Sequence, residues 1–234
     1  MHLRILVVAI VVLSAVCFAQ GPGNTPFLQN GGPVPVDAYQ IRYASNLNVG
    51  DSYIDISNAG LDGAALFYGT GANIAGAICV NVYAFASDEQ LVACCSCPVT
   101  PNALVSLDVQ KDLINNVVSQ QAIPTSLAIK LTATRPLGGT PTCNNSSFAG
   151  TGGPGGTTVP TYVAGLVAWG TSLSANTSVT PASYSMLGGR FLPEQLSVGE
   201  QTRLTNLCMY INANNSGYGI CNTCRQGGLA ATKK

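Results

Sequence analysis

The eight cysteines that follow the first nineteen residues constrain the fold of this chain more than any other feature of its sequence. They are Cys79, Cys94, Cys95, Cys97, Cys143, Cys208, Cys221 and Cys224. An even number of cysteines behind an export signal indicates disulfides, which form and persist in oxidising compartments. The same part of the chain contains no histidine, the side chain that most often ligates metals and shuttles protons near neutral pH. We therefore expect an extracellular domain braced by disulfides and no histidine-dependent catalysis.

The first nineteen residues have the pattern of a signal peptide. Arg4 supplies a positive charge, and Ile5–Val16 form an apolar stretch too short for a convincing membrane span. Cys17 and Ala19 occupy the small-residue positions before a cleavage site, so we predict removal of 1–19; a lipid anchor on Cys17 is the weaker alternative. No later stretch reaches the roughly 18 consecutive apolar residues of a membrane span. We expect the mature chain to be secreted or held at an extracellular surface, with no membrane span.

The mature chain carries very little charge. Charged residues make up 9% of the sequence, against roughly 25% in ordinary globular domains. Loss of Arg4 with the signal peptide leaves nine basic and ten acidic residues, a formal net charge of −1. Such a surface cannot neutralise a phosphate backbone, so we expect no nucleic-acid partner. Because few charges resist close contact between copies, the expected partners are the chain itself or other cell-surface components.

Short segments typical of strands dominate the middle of the sequence. Tyr39–Tyr43 and Leu127–Thr134 alternate apolar and polar residues, the period of a sheet with one solvent-exposed face. Ile78–Ala86 and Leu91–Cys97 flank a short charged turn and predict a β-hairpin. Tyr162–Trp169 is apolar on both faces, which predicts an interior strand. The sequence therefore predicts a mainly β fold, a disulfide-braced β-sandwich.

The sandwich is predicted to be a single domain over 37–230. A Pro- and Gly-rich arm, 20–36, precedes it, and a short tail, 231–234, follows it. Within the domain, 138–160 is predicted to be a long flexible Gly-rich loop, because this composition cannot bury enough apolar surface to order its backbone. A division into two domains at this loop is disfavoured, since the later part has too few strands to close its own core.

One amphipathic helix is predicted near 198–212. Ser197 and Glu200 form a capping box, in which the serine hydroxyl accepts a hydrogen bond from the backbone N–H of Glu200. Apolar residues then recur on one helix face, at Leu204, Leu207, Cys208 and Ile211. Because Cys208 lies on this stripe, a disulfide could fasten the helix to the sheet.

The sequence does not choose a pairing among the eight cysteines. On a strand, Cys95 and Cys97 share one face and Cys94 takes the other, so this cluster can bond in two directions. The alternative is a zinc site built from two C-x-x-C pairs, Cys94 with Cys97 and Cys221 with Cys224. These pairs are much further apart than in compact zinc modules, and export favours oxidation, so we expect disulfides, no metal and no other cofactor. A thioredoxin-like role for Cys221 and Cys224 is weaker still, because no βαβ pattern surrounds them.

Other candidate sites have less support. Without histidine, Ser-His-Asp and Cys-His arrangements cannot be built. The acidic residues are better explained as solvated or capping groups than as catalytic carboxylates; they include Asp88, Glu89, Asp108, Asp112, Glu194 and Glu200. A set of oxygen ligands for calcium misses the EF-hand spacing; it comprises Asp51, Asp55, Asn58 and Asp62. Aromatic side chains would suit glycans if exposed in a row, although packing is favoured; they are Tyr39, Tyr43, Tyr53, Tyr68, Tyr83 and Trp169.

Four segments of the sequence together carry a resemblance to known proteins. They are Ile78–Phe85, Cys94–Pro101, Gly165–Gly170, and Gly217–Cys221 with the following Cys224 and Arg225. In these segments the chain resembles a group of uncharacterised secreted bacterial proteins. The resemblance covers most of the mature chain and implies export and a shared cysteine framework. It implies no activity and assigns no catalytic residue.

We therefore expect a secreted extracellular structural or surface-associated protein that self-assembles and has no catalytic activity. The motivation is the low charge and the Pro/Gly-rich arm, which could reach the sheet edge of a neighbour. Binding of a glycan or another small ligand is the alternative. A cysteine–metal site and a carboxylate-dependent hydrolase are less favoured.

Overall fold

The computed structural model describes residues 28–29, 32–64, 76–101, 103–117, 123–136, 143, 161–221 and 224–226 of the 234-residue chain. The predicted signal peptide, the tail and most of the arm lie outside the described residues. So does the predicted flexible loop, 138–160, apart from Cys143. The described part is a mainly β structure with two five-stranded antiparallel sheets and one α-helix, as the sequence predicts.

The strands are, in chain order, β1 (Leu28–Gln29), β2 (Gly32–Pro33), β3 (Tyr39–Ala44), β4 (Tyr53–Asn58), β5 (Ile78–Phe85), β6 (Leu91–Val99), β7 (Leu104–Asp108), β8 (Leu127–Thr134), β9 (Leu166–Asn176), β10 (Ser183–Arg190), β11 (Leu192–Pro193) and β12 (Arg225–Gln226). Val36–Ala38 form a 3-10 turn, Val109–Ile114 a π-helical turn, and Val198–Ala213 the helix α1. Sheet A has the strand order β11–β3–β8–β5–β6, and sheet B has the order β10–β9–β4–β7–β12. β1 and β2 form a separate two-stranded hairpin.

The predicted hairpin and the predicted strand in the middle of the chain are both confirmed. β5 pairs with β6, and the N–H of Ala86 donates to the carbonyl of Gln90 at 2.9 Å to close the turn. In β8, Leu127, Ile129 and Leu131 are buried at alternate positions and belong to the hydrophobic core. The alternation predicted from the sequence therefore places one face of β8 in the core.

The alternation in β3 sorts its side chains differently from their polarity. Gln40 is only 4% exposed and Tyr43 is 58% exposed. The register pairs Gln40 with Leu131, so both share one face, and the Gln40 side chain donates to the carbonyl of Leu166 in sheet B at 2.6 Å. This face of β3 therefore points between the sheets. Gln40 can be buried there because its hydrogen bond to Leu166 replaces bonds to water.

The interior strand predicted over Tyr162–Trp169 is β9, and it begins four residues later than the apolar run. β9 lies between β10 and β4 in sheet B, which confirms the interior position. Tyr162 instead forms an isolated bridge to Thr134 of sheet A. Trp169 lies in β9 of sheet B and is 40% exposed. The two ends of the apolar run therefore belong to different sheets.

Helix α1 begins with the predicted cap and packs on the outer face of sheet A. The hydroxyl of Ser197 accepts from the N–H of Glu200 at 3.1 Å. Leu204 and Cys208 are its buried residues, and Cys208 is bonded to Cys94 of β6. Among the described residues, no helix is long and apolar enough to cross a membrane.

Polar side chains are buried on the face of sheet A that carries Cys94. Asn81 donates to the hydroxyls of Thr132 and Thr134, both at 3.2 Å, and accepts from the hydroxyl of Ser96 at 2.7 Å. Each of these residues is buried. Because their hydrogen bonds replace those to water, the polar patch can lie within the fold.

The chain after α1 closes one side of the sandwich, and we call 219–221 with 224–226 the C-terminal strap. Its first part runs along β6, where the N–H of Cys94 donates to the carbonyl of Gly219 at 2.8 Å. Its last part is β12, which pairs with β7 of sheet B. The strap therefore crosses from the edge of one sheet to the edge of the other.

Candidate functional site

All eight cysteines of the predicted mature chain form disulfides, and every disulfide has one end in the β5–β6 hairpin. The pairs are Cys79–Cys143, Cys94–Cys208, Cys95–Cys221 and Cys97–Cys224, with Cα–Cα distances from 5.3 to 5.9 Å. The first bond holds Cys143, the second holds α1, and the last two hold the C-terminal strap. The hairpin is therefore the covalent centre of the molecule.

The cysteine cluster on β6 bonds in two directions, as the alternation of side chains predicts. Cys94 faces α1, whereas Cys95 and Cys97 bond to the strap. The sulfur atoms of Cys95, Cys97 and Cys224 lie within 4.8 Å of one another. The sequence-based zinc alternative pairs Cys94 with Cys97. That pairing is wrong in geometry, because residues three apart on a strand point to opposite faces, and Cys94 bonds to α1 whereas Cys97 bonds to the strap.

Three of the four outer sheet edges are short or covered. At the outer edge of sheet A, β6 is followed by the strap, which bridges Ile220 to Cys94. The opposite edge is β11, a two-residue strand that ends in Pro193. In sheet B, the edge beside β7 is the two-residue strand β12. Short edges, proline and covering segments all prevent pairing with another chain.

Within the described residues, the fourth edge, β10, is neither short nor covered by another segment, and it contains no proline. It is eight residues long and pairs only with β9 among the described strands. It carries one charged residue, Arg190, and exposes Tyr184, Met186 and Leu187, the last two at 49% and 54%. A long edge strand that exposes apolar side chains is a template for strand addition. β10 is therefore the candidate interaction site of this molecule.

Arg42 of sheet A fixes the position of β10. Its guanidinium donates to the carbonyls of Arg190 at 3.2 Å and Leu187 at 3.4 Å. Two glycines make room for this side chain: a Cβ at Gly170 would lie 2.6 Å from Arg42 Cδ, and a Cβ at Gly189 would lie 2.9 Å from its Nη1. The glycines of this segment therefore allow a cation of one sheet to hold the edge strand of the other.

A second candidate site is a groove on the outer face of sheet A, here called the Tyr43 groove. Two adjoining cavities of about 420 and 560 Å³ form it, and both are lined by Tyr43, Ala128 and Lys130. The charged side chains around it have both signs and comprise Arg42, Glu89, Glu194, Glu200 and Arg203. An exposed aromatic ring among balanced donors and acceptors suits a neutral polar ligand.

Glu200, one of the predicted acidic candidates, is held in an ion-pair network beside this groove. Lys130 Nζ lies 2.5 Å from Glu200 Oε1, and Arg203 Nη1 lies 3.8 Å from Glu200 Oε2. Both cations also lie over the ring of Phe85, at 5.0 and 4.8 Å from its centroid. The hydroxyl of Tyr39 hydrogen-bonds to Glu200, and burial raises the pKa of Tyr39. Glu200 therefore anchors the start of α1 to sheet A.

A carboxyl pair joins the loop before β4 to the end of β7. Burial, together with a hydrogen bond to Asp108, raises the pKa of Asp51 to about 6. Asp51 also accepts from the backbone N–H groups of Ser52 at 2.8 Å and Gln110 at 3.1 Å. Asp112, a further acidic candidate, accepts from the N–H of Asp108 at 2.7 Å. These contacts give the carboxyls a role in fixing the turn after β7.

The proposed calcium ligands do not converge. Asp51 belongs to the carboxyl pair, and Asp55 accepts from the hydroxyl of Ser106. Asn58 donates to the carbonyls of Gly76 and Val99, and Asp62 pairs with Arg135 at 2.6 Å. Each of these four residues therefore serves a different local contact.

The aromatic residues do not form an exposed row in the described part of the chain. Tyr39, Tyr53 and Tyr83 are buried, as packing predicts, and Tyr68 lies outside the described residues. Tyr43 and Trp169 are exposed but belong to different sheets. Glycan binding through a row of rings is therefore unsupported, and the exposed ring that lines a cavity is Tyr43.

Sequence reasoning missed β10; it named Tyr43 among the aromatic candidates but did not predict the groove around it. The alternation of Ser183 and Ser185 with Tyr184 and Met186 is a strand signal, and Pro181 precedes it. The groove had no such signal, because it joins residues from β3, β5, β8 and α1 that are far apart in sequence.

Comparison of the chain with protein-family models, curated proteins and solved structures finds no match. The resemblance to secreted bacterial proteins stays a prediction.

Proposed function

We propose that the chain is a secreted structural or surface-associated protein whose copies self-associate in the extracellular space through strand β10. One observation carries the proposal: within the described residues, β10 is an eight-residue edge strand that pairs on one side only and exposes Tyr184, Met186 and Leu187. The four disulfides support the compartment, since such bonds persist in oxidising surroundings. A formal net charge near zero supports close contact between copies.

A second copy is the occupant that this edge fits best. Two copies related by a two-fold axis can align their β10 strands antiparallel, which joins their sheets B into one continuous sheet. When Met186 of each copy lies opposite the other, Tyr184 faces Gly188 of the second copy, which leaves room for the ring. Arg190 then lies beyond Ser183 of the second copy, so the strand's one charge meets no like charge.

The test is the mass of the exported, disulfide-intact protein in solution, measured by sedimentation velocity across a concentration series. A strand-edge contact buries little area and is therefore weak. We expect the average mass to rise with concentration from that of a monomer towards that of a dimer. Met186→Lys places two ammonium groups opposite each other and should weaken association by roughly tenfold or more. Met209→Lys is the matched control, because Met209 is similarly exposed, at 44%, but lies on α1.

Two results would overturn this proposal. The first is a wild-type protein that stays monomeric at the highest concentration reached. The second is an equal effect of the two lysine substitutions, which would assign association to general charge or to another surface.

The Tyr43 groove supports a second function, binding of a neutral glycan. The observation that favours it is the exposed ring of Tyr43 between two cavities with balanced charges. Calorimetric titration with neutral oligosaccharides should show binding that Tyr43→Ala abolishes and Trp169→Ala leaves intact. If no neutral oligosaccharide in the panel binds, or if both variants lose binding equally, the groove is not a glycan site.

A further inference from the structure

We propose that Cys95, Cys97, Cys221 and Cys224 form a tetrahedral zinc site when their two disulfides are open. The C-terminal strap would then be held by a metal ion under reducing conditions and by covalent bonds under oxidising ones. This inference is independent of self-association through β10, because it concerns the opposite edge of sheet B and the edge of sheet A.

The positions of the sulfur atoms are the first argument. Those of Cys95, Cys97 and Cys224 already lie within 4.8 Å of one another, and Cys221 is bonded to Cys95. Four thiolates around a zinc ion at about 2.3 Å lie roughly 3.8 Å apart. Opening the two bonds to that separation needs about one ångström of movement by each sulfur. The sulfur of Cys221 is not within 4.8 Å of all three others, so it must also turn towards them by a side-chain rotation.

The direction of the side chains is the second argument. Cys95 and Cys97 lie on the face of β6 that meets the strap, whereas Cys94 lies on the opposite face and bonds to α1. The zinc ligands are therefore a C-x-C pair from a strand and a C-x-x-C pair from the strap. Sequence spacing alone would choose Cys94 as the partner of Cys97, but in the folded chain Cys94 faces α1.

The surroundings are the third argument. Cys95, Cys97 and Cys221 are buried and Cys224 is half-buried. Four thiolates in an enclosed place match the closed four-cysteine sites that hold structural zinc. The soft sulfur donors select zinc over calcium or magnesium, which prefer oxygen.

The chemistry requires a reductant, and a dithiol is the class that suits it. Each disulfide takes two electrons and two protons from one dithiol, which itself becomes a disulfide, and yields two cysteine thiols. Cys97 is fully buried but Cys224 is half-buried, so the sulfur of Cys224 is the accessible point of attack. Binding of one Zn²⁺ to the four thiols then releases four protons, so zinc affinity should rise with pH.

The experiment uses the full mature chain, reduced with a phosphine under anaerobic conditions and titrated with Co²⁺ as a spectroscopic probe. We expect thiolate-to-cobalt charge-transfer bands that saturate at one Co²⁺ per chain and disappear when Zn²⁺ is added. Cys97→Ser should weaken binding by roughly a hundredfold or more, whereas Cys94→Ser, its neighbour on the other face, should leave binding unchanged.

A second measurement keeps the test decisive if a variant fails to fold. In the wild-type protein, Zn²⁺ should protect four cysteines from alkylation, and peptide mapping should identify them as Cys95, Cys97, Cys221 and Cys224. Absence of stoichiometric Co²⁺ binding by the reduced chain, or a protected set that includes Cys94, would overturn the proposal.

Discussion

At the scale of single residues, the Asp51–Asp108 pair makes stability depend on pH. The raised pKa of Asp51, about 6 against a usual value of 3.8, means that the folded state retains a proton that the unfolded state loses. This contribution to stability is fully present below pH 3.8 and is lost as the pH rises through about 6. The free energy of unfolding should therefore fall as the pH rises between these two values.

Asp51→Asn should remove that pH dependence. The asparagine oxygen can still accept from Ser52 and Gln110, and its amide can donate permanently to Asp108. We expect the free energy of unfolding at pH 7 to rise, because the neutral amide avoids burying a second charge beside Asp108. The gain should be only about 1 kcal/mol, because Asp51 is half-buried and solvent screens its charge. Urea unfolding from pH 4 to pH 7 measures this change. Asp88→Asn, on the exposed β5–β6 turn, is the control, and equal slopes for both variants would contradict the assignment.

The glycines around Arg42 carry a second prediction at this scale. Gly170→Ala places a Cβ 2.6 Å from Arg42 Cδ, so the arginine must move away from β10. We expect a loss of about 1 to 3 kcal/mol in the free energy of unfolding. A Cβ at Gly188, in the same pair of strands, meets nothing within 4 Å, so Gly188→Ala should change stability little. Denaturant unfolding of both variants tests the difference, and similar losses would rule out the contact with Arg42.

At the scale of elements, α1 is held to sheet A by a disulfide and by an ion-pair network. Joint replacement by Cys94→Ser and Cys208→Ser removes the covalent part, which closes a loop of 114 residues. We expect the free energy of unfolding to fall by about 2 to 4 kcal/mol. Because Lys130–Glu200 and the Ser197 cap remain, α1 should stay folded in the native state. Urea unfolding gives the first quantity, and helical circular dichroism the second; a variant without α1 at low urea would show that the disulfide alone holds the helix.

Local chemistry explains which elements could be predicted. The Ser197 cap, the apolar stripe of α1 and the β5–β6 turn are signals within a few residues of one another, so their elements follow from the sequence. The faces of β3 do not follow, because the contact that buries Gln40 comes from Leu166 of sheet B, which is distant in sequence. Polarity alone therefore assigns Gln40 and Tyr43 to the wrong surroundings.

At the scale of the whole molecule, the disulfide pairing depends on contacts between distant segments. The alternation along β6 separates Cys94 from Cys95 and Cys97, yet it cannot say which of them meets α1. The answer comes from the arrangement of α1 on the outside of sheet A and of the strap between the two sheets. The edge position of β10 is likewise a property of the assembled sheets, because a strand can be recognised as an edge only when the strand order is known.

The position of all disulfides in the β5–β6 hairpin makes a prediction about the whole chain. A protease site inserted between Gly152 and Gly156 separates Cys143 from the three later cysteines. After cleavage, the C-terminal fragment should stay bound through Cys208, Cys221 and Cys224, because their partners all lie on β6. Non-reducing mass spectrometry should therefore find one species heavier than the uncut chain by one water, with an unchanged circular dichroism spectrum. Reduction should divide it into two fragments, whereas fragments that separate without reductant would show that the hairpin is not the covalent centre.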